Sequence, residues 1–153
     1  MSQKPLVVGI GGGTGTGKTT LAIALYRKHL GQCSIVHLDD YFKKAEEVPK
    51  LNGFINWEDP SALDYDNLHD DLVSLIEGRP VTVKTKSELF NPHYDHQNPL
   101  KIEHRIEPMP ILIVEGYMVL YDPRIRDLLD IKIFLDMPLQ ESSKRRSHTK
   151  DPV

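Results

Sequence analysis

The chain has 153 residues, 39% hydrophobic and 27% charged content and a net charge of −3, a composition typical of one globular domain. The negative charge gives no support for a nucleic-acid partner, and the single cysteine, Cys33, excludes an intrachain disulfide and favours a reducing compartment. No apolar run approaches the roughly 20 residues of a membrane span, and we find no signal-peptide core. We therefore expect a cytoplasmic protein without a membrane partner.

A glycine-rich segment follows the first apolar run of the chain, residues 6–10. From Gly12 to Thr19 it fits the pattern G-x-x-x-x-G-K-[ST], and the apolar residues 21–26 after it are typical of a helix. Glycines let the backbone wrap around an anion, and N–H groups of the loop and the helix terminus would face its oxygens. The pattern predicts that a nucleoside triphosphate binds to Gly12, Gly13, Thr14, Gly15, Thr16, Gly17, Lys18, Thr19 and Thr20.

The first predicted helix runs from Lys18 to about residue 30 and ends at Gly31. Its inner face is expected to carry three side chains, Leu21, Ala24 and Leu25. The apolar residues 34–38 predict a short buried strand. Residues 41–60 are polar and contain prolines and a glycine, so we expect a loop with at most short helical turns.

The middle of the chain alternates between helical and extended patterns. Leucines at helical spacing predict an amphipathic helix over residues 64–77, and Gly78 ends it. Residues 81–85 alternate like a half-exposed strand, and residues 104–107 are the expected partner of that strand. We interpret residues 79–108 as a hairpin insertion on the substrate side of the domain.

The last part of the chain predicts two more strands, at residues 111–114 and 131–135. Between them, Asp122 and Pro123 are typical of a helix start, and a final helix is expected from Pro138. Strands separated by helices predict a parallel sheet with helices on both faces. The sequence therefore predicts a single α/β domain over residues 1–153, a three-layer αβα sandwich of the P-loop NTPase type.

Acidic residues follow the predicted strands. Asp39 and Asp40 come after the second strand, Glu115 ends the third and Asp136 follows the fourth. Because ligands bind at the carboxyl ends of parallel strands, these acids are candidates for a site beside the phosphate loop. The Thr19 hydroxyl and Glu115 suit Mg²⁺, and Asp39 suits a general base toward a hydroxyl. Structural roles as turn or cap residues remain the alternatives for Asp39 and Glu115.

Three segments together resemble the uridine kinase and phosphoribulokinase family, which includes the nicotinamide riboside kinases. They are the glycine-rich loop, residues 34–43 with Asp-Asp-Tyr-Phe-Lys, and residues 111–116 with Val-Glu-Gly. Residues 56–60 are also similar to the Asn-Phe-Asp-His-Pro segment of uridine kinases, and residues 92–95 to their Pro-x-Tyr-Asp. The resemblance covers most of the chain and implies a nucleoside-kinase type of P-loop fold.

The resemblance implies an ATP-dependent nucleoside 5′-phosphotransferase that uses Mg²⁺, with a small-molecule nucleoside as its partner; a homo-oligomer is also possible. By match, Asp39 is the base, Lys18 and Arg145 stabilise phosphate charge, and Thr19 with Glu115 holds the metal. The implied substrate-binding residues are Asp39, Trp57, Glu58, Tyr94 and Arg146. The alternatives are a loop anchor for Trp57, a surface aromatic for Tyr94, and a basic helix turn for the two arginines.

The sequence also departs from the family pattern. Glu58 stands where uridine kinases have aspartate, and residues 98–100 replace their pyrimidine-reading histidine. The second departure, with the segment Asn-Gly-Phe at residues 52–54, keeps a nicotinamide riboside kinase as an alternative to a uridine or cytidine kinase. The family's lid, last strand and last helix are expected to be missing after Val153, so an ATP-binding module without catalysis is the alternative from another class.

Overall fold

The computed structural model describes residues 4–13, 17–87, 89–91, 93–95, 97–98 and 100–136. In chain order its helices and strands are β1 (Leu6–Gly12), α1 (Lys18–Lys28), β2 (Cys33–His37), β3 (Lys50–Leu51), β4 (Phe54–Ile55), α2 (Tyr65–Ile76), β5 (Val81–Thr85), β6 (Ile102–Ile106), β7 (Ile111–Glu115), α3 (Pro123–Arg126) and β8 (Ile131–Leu135).

A parallel sheet of four strands in the order β2-β7-β1-β8 forms the centre of the fold. Alternate side chains of a strand point to opposite faces, so the apolar runs supply two cores. One face packs against α2 and α3, and its buried strand residues include Val7, Val36, Leu112 and Val114. The other face packs against α1 through Val8, Ile10, Ile35 and Ile113. The predicted αβα layering is thereby confirmed.

The first helix, α1, begins directly after Gly17, whose φ of 88° is the left-handed conformation that glycine adopts readily. The extent of the helix agrees with the prediction, but its inner face differs. Ala22 is the residue of α1 that is fully buried, whereas Ala24 is exposed. The sequence prediction was therefore wrong about Ala24, because residues 21–26 of this helix are all apolar and their spacing does not mark one face.

The second helix, α2, confirms the prediction for residues 64–77. The Asp64 carboxylate caps its N-terminus by accepting a hydrogen bond from the Asn67 N–H at 3.0 Å. Its buried face consists of Leu68, Leu72 and Leu75, at helical spacing. The short helix α3 also begins as predicted, since the Asp122 side chain accepts from the Arg124 N–H at 2.8 Å.

The two antiparallel ribbons lie outside the main sheet. β5 pairs with β6 from Val81 opposite Ile106 to Thr85 opposite Ile102, which confirms the predicted return strand. β3 pairs with β4 around Asn52 and Gly53, both at positive φ. The prediction of loop and short helical turns was wrong for this second ribbon, because strands of two residues leave almost no periodic signal.

The helix predicted from Pro138 lies outside the described residues, and the role of residues 79–108 as a substrate-side insertion stays a prediction. Within the described ranges, every helix is too short or too polar to cross a membrane.

Candidate active site

All four strands of the main sheet run the same way, so their carboxyl ends meet at one edge. Thr19, Asp39, Asp40 and Glu115 line a cavity of about 310 Å³ at this edge, which we call the loop-side cavity. The structure therefore brings together three of the four predicted strand-end acids and the predicted hydroxyl. Asp136 follows β8 but is not among the residues that line this cavity.

The described part of the glycine-rich segment has the form expected of an anion site. Gly12 ends β1 at a φ of 144°, and Gly17 precedes α1. The first turn of α1 contains no acidic residue and its N-terminus has no side-chain cap, so its N–H groups and positive dipole end are available to an anion. The predicted ligands Thr14, Gly15 and Thr16 lie outside the described residues.

Glu115 is held by two side chains that the sheet and the loop place beside it. It lies directly opposite His37 in the parallel pairing of β2 and β7. His37 Nδ1 donates to Glu115 Oε1 at 2.7 Å, and their side chains are only 8% and 5% exposed. The Thr19 hydroxyl donates to Glu115 Oε2 at 3.2 Å. A carboxylate at this depth needs such partners, because burying an unpaired charge is costly.

Asp39 lies in the short 3₁₀ turn that follows β2. Asp39 is exposed as a whole residue, but partial desolvation at the cavity wall raises the pKa of its carboxyl, and the negative charge of Glu115 raises this pKa further. The positive charge of Lys18 opposes the shift, which puts the lysine of the loop within electrostatic reach of Asp39. A carboxylate with a raised pKa is a better proton acceptor than an ordinary aspartate.

A second cavity of about 460 Å³ adjoins the first, and we call it the aromatic cavity. Its lining residues are Asp39, Asp40, Phe42, Trp57, Lys86 and Lys101. Trp57 packs edge-to-face on Phe42, with ring centroids 5.7 Å apart and an interplanar angle of 89°, and 41% of its surface stays exposed. The indole is therefore supported by a neighbouring ring and still open to a ligand.

Tyr117 contacts both aromatic residues of this cavity, Phe42 and Trp57. Its ring stacks on Phe42 at 6.4 Å and 21°, and its hydroxyl donates to the Trp57 carbonyl oxygen at 3.1 Å. Burial, followed by the charges of Asp39 and Glu58, raises the pKa of Tyr117 to about 12. Through this hydrogen bond the segment that follows β7 contacts the loop that carries Trp57.

The other predicted substrate-binding and phosphate-binding residues do not all lie at the aromatic cavity. Tyr94 lines the loop-side cavity and Trp57 the aromatic cavity, so these two predicted substrate-binding residues lie in different cavities. Glu58 is exposed and lines neither cavity, although its charge reaches Tyr117. Arg145 and Arg146 lie outside the described residues.

Sequence reasoning assigned no role to His37, Tyr117 or Lys86. In the structure His37 and Lys86 line the loop-side cavity, and Tyr117 packs against the aromatic residues of the other cavity. His37 precedes the Asp-Asp pair by two residues, and Tyr117 follows Glu115 by two. Both therefore belong to strand ends that the sequence had already marked as functional. Lys86 follows the strand at residues 81–85 and carried no such signal, because an isolated lysine in a polar loop is common.

The parallel sheet, the loop between β1 and α1 and the acids at the strand ends define an α/β P-loop NTPase fold. The solved structure of a possible uridine kinase from Bacillus stearothermophilus is similar, with a TM-score of 0.66 at 21% identity. This similarity covers 99% of the present chain and 86% of that structure, and it supports the fold assignment.

The sequence comparisons identify the family. The model of the Phosphoribulokinase / Uridine kinase family matches residues 7–146. A uridine kinase from Clostridium perfringens is 37% identical over 138 residues, which is 88% of this chain and 62% of that protein. A uridine kinase from Lactiplantibacillus plantarum is 31% identical, over 99% of this chain and 74% of the relative. The chain belongs to the Phosphoribulokinase / Uridine kinase family, and it spans less than two thirds of the length of its Clostridium relative.

Proposed function

We propose that the protein is an ATP-dependent kinase that transfers the γ-phosphoryl group to the 5′-hydroxyl of a ribonucleoside such as uridine or cytidine. The observation that carries this proposal is the position of Asp39, which lines both the loop-side cavity and the aromatic cavity. A base at this junction can face a hydroxyl on one side and a phosphate on the other. Family membership and the names of the relatives support the same reaction.

The step requires no covalent intermediate with the protein. The 5′-oxygen forms a bond to the γ-phosphorus, the bond from that phosphorus to the bridging oxygen breaks, and ADP leaves with the electron pair. Asp39 accepts the hydroxyl proton. Lys18 and Arg145 are proposed to stabilise the phosphate charge, so the contribution of the protein is mainly positioning and electrostatics.

Thr19 and Glu115 are the residues proposed to hold Mg²⁺. Their hydroxyl and carboxylate oxygens, 3.2 Å apart, are donors of the kind that this hard cation prefers. When bound, the ion would neutralise charge on the β- and γ-phosphates. His37 fixes the orientation of the Glu115 carboxylate through the buried hydrogen bond described above.

The aromatic cavity is proposed to receive the base and the ribose. The open face of Trp57 suits offset stacking on a base, which contributes about 0.5–1.5 kcal/mol beyond the buried area. Glu58, Tyr94 and Arg146 remain proposed substrate contacts; for Glu58, a ribose contact requires its exposed side chain to turn inward on binding.

The decisive experiment replaces Asp39 with asparagine. D39N should abolish transfer to uridine and cytidine while ATP binding stays within a fewfold of the wild-type value, because the amide cannot accept the proton. D70N is the matched control, since the Asp70 side chain is 84% exposed on α2. Full activity of D39N would refute the assignment of the base.

A nicotinamide riboside kinase is the second candidate. The open Trp57 ring would suit the positive charge of a pyridinium base through cation–π attraction. The carboxylates of Asp39 and Asp40 add no net preference, because Lys86 and Lys101 line the same cavity. A panel of uridine, cytidine, nicotinamide riboside and pantothenate, each with ATP, separates these candidates by kcat/KM. Binding of ATP without transfer to any member would instead favour a catalytically incomplete ATP-binding module.

A further inference from the structure

The loop-side cavity and the aromatic cavity share three lining residues, Asp39, Asp40 and Lys86. Lys86 is the cation of this group. In the proposed reaction the phosphoryl group crosses from the first cavity to the second, so the shared residues lie along its path. A positive charge at that point is therefore close to the place where negative charge is transferred.

The two shared carboxylates already have positive or hydrogen-bonding neighbours. Lys18 acts on Asp39, while Thr85 donates a hydrogen bond to Asp40 and Lys101 adds a favourable charge. Lys86, by contrast, has no hydrogen-bond or ion-pair partner among the described residues. Its ammonium group is thus available to an incoming anion.

The backbone around Lys86 is fixed, although the side chain is exposed. Thr85, the last residue of β5, is fully buried, and its hydroxyl accepts a hydrogen bond from the Ser87 N–H at 3.0 Å. This contact closes a tight turn across Lys86. The turn holds the start of the lysine side chain at the boundary of the cavities, while four methylene groups let the ammonium follow a moving charge.

We propose that Lys86 is a further catalytic residue, whose ammonium contacts the phosphoryl group as it passes from ATP to the acceptor oxygen. This inference rests on the proposed function. Lys86 would stabilise the negative charge on the transferring oxygens while Asp39 takes the hydroxyl proton and ADP leaves with the electron pair of the broken bond. The two residues have opposite charges and separate tasks at the same junction.

The first test compares K86M, which keeps the length of the side chain without the charge, with K86R and the control K84M. Lys84 is exposed on β5 and lines neither cavity, so its replacement removes the same charge from a nearby position. We expect K86M to lower kcat by about 10- to 100-fold, with the KM values for ATP and acceptor changed less than about threefold. K86R should recover part of kcat, and K84M should match the wild type.

Two kinetic outcomes would overturn the proposal. A higher acceptor KM with unchanged kcat would make Lys86 a contact of the bound acceptor only. Unchanged kinetics of K86M would make it a solvated surface lysine.

A binding measurement tests, without turnover, whether Lys86 contacts the phosphates between the two substrates. The probe is P1-(5′-adenosyl) P4-(5′-uridyl) tetraphosphate, which joins the two substrates through the phosphates that cross the junction. K86M should weaken its affinity by about 10-fold, while the affinities for ATP and for uridine stay unchanged. Equal affinity of K86M and wild type for the probe would overturn the role of Lys86. If the wild type transfers phosphate to no nucleoside, the proposed function fails and the catalytic role of Lys86 fails with it. If the wild type does transfer phosphate but K86M binds the probe as tightly, only the role of Lys86 is overturned.

Discussion

Replacing Gly116 with alanine should damage the candidate site from beneath. Gly116 follows Glu115 at the end of β7, and its N–H donates to the Ile10 carbonyl oxygen at 3.0 Å. A Cβ at this position would overlap the Cβ of Leu38 and approach its Cδ2 to 2.7 Å. Leu38 is fully buried and directly precedes Asp39, so it cannot yield without moving the turn that carries the proposed base.

The size of the effect follows from this geometry. Overpacking of a filled core costs about 1–3 kcal/mol, which for a domain of this length lowers Tm by about 2–12 °C. A displacement of Asp39 by about 1 Å is enough to lower kcat by about 100-fold. We therefore expect G116A to fold with a Tm lowered by only a few degrees, and to lose most of its kcat at temperatures where it is still folded.

The assay combines urea and thermal unfolding with steady-state kcat, measured well below both transitions. Gly9→Ala is the matched control, because the three atoms nearest to a Cβ there belong to the Leu129 side chain and not to Leu38, which precedes Asp39. G9A should lose stability but keep kcat within about threefold. A G116A variant as stable and active as the wild type would refute the reasoning, and so would a G9A variant that loses as much kcat as G116A.

Three further predictions test the other parts of the site. Partial desolvation and the Glu115 charge raise the pKa of Asp39 above that of an ordinary aspartate, which is about 3.9. The base must be deprotonated to act, so kcat/KM for uridine should begin to fall with decreasing pH above about 3.9. A limb near 3.9 in the pH profile would contradict this. His37→Leu leaves the buried Glu115 Oε1 without its donor and should lower the free energy of unfolding by about 1–3 kcal/mol, measured by urea; an unchanged midpoint would count against it. Trp57→Ala should raise the acceptor KM by about 3- to 15-fold, while Trp57→Phe keeps most of the affinity; a loss confined to kcat would argue against stacking.

The main sheet could be predicted from the sequence because its signals are local. Apolar runs at residues 6–10, 111–114 and 131–135 indicate strands whatever their neighbours, and the caps Asp64 and Asp122 mark helix starts within a few residues. Local signals carry no information on tertiary packing, which explains the two wrong predictions. The β3–β4 ribbon and the exposed Ala24 depend on packing, which neither a two-residue strand nor a continuous apolar run encodes.

The sequence indicated which residues belong to the candidate site, but not which contacts they make with one another. Strand ends and the glycine-rich loop located Thr19, Asp39 and Glu115, and these residues do share a cavity. Which partner each one contacts depends on the order of the strands. His37 pairs with Glu115 because β2 lies next to β7, although the two residues are 78 positions apart. Lys86 reaches the junction of the cavities through a ribbon outside the sheet, which no strand-end argument covers.

The strand order has a consequence for how the chain is made. β1 is synthesised first, yet both of its neighbours in the sheet, β7 and β8, follow more than 100 residues later. Closing a loop of about 100 residues costs on the order of 4 kcal/mol in chain entropy. Synthesis at roughly 5–20 residues per second delays β7 by about 5–20 s and β8 by slightly more. The strand that carries the phosphate loop thus waits unpaired on the ribosome, and stable folding is expected only after residue 135 has emerged.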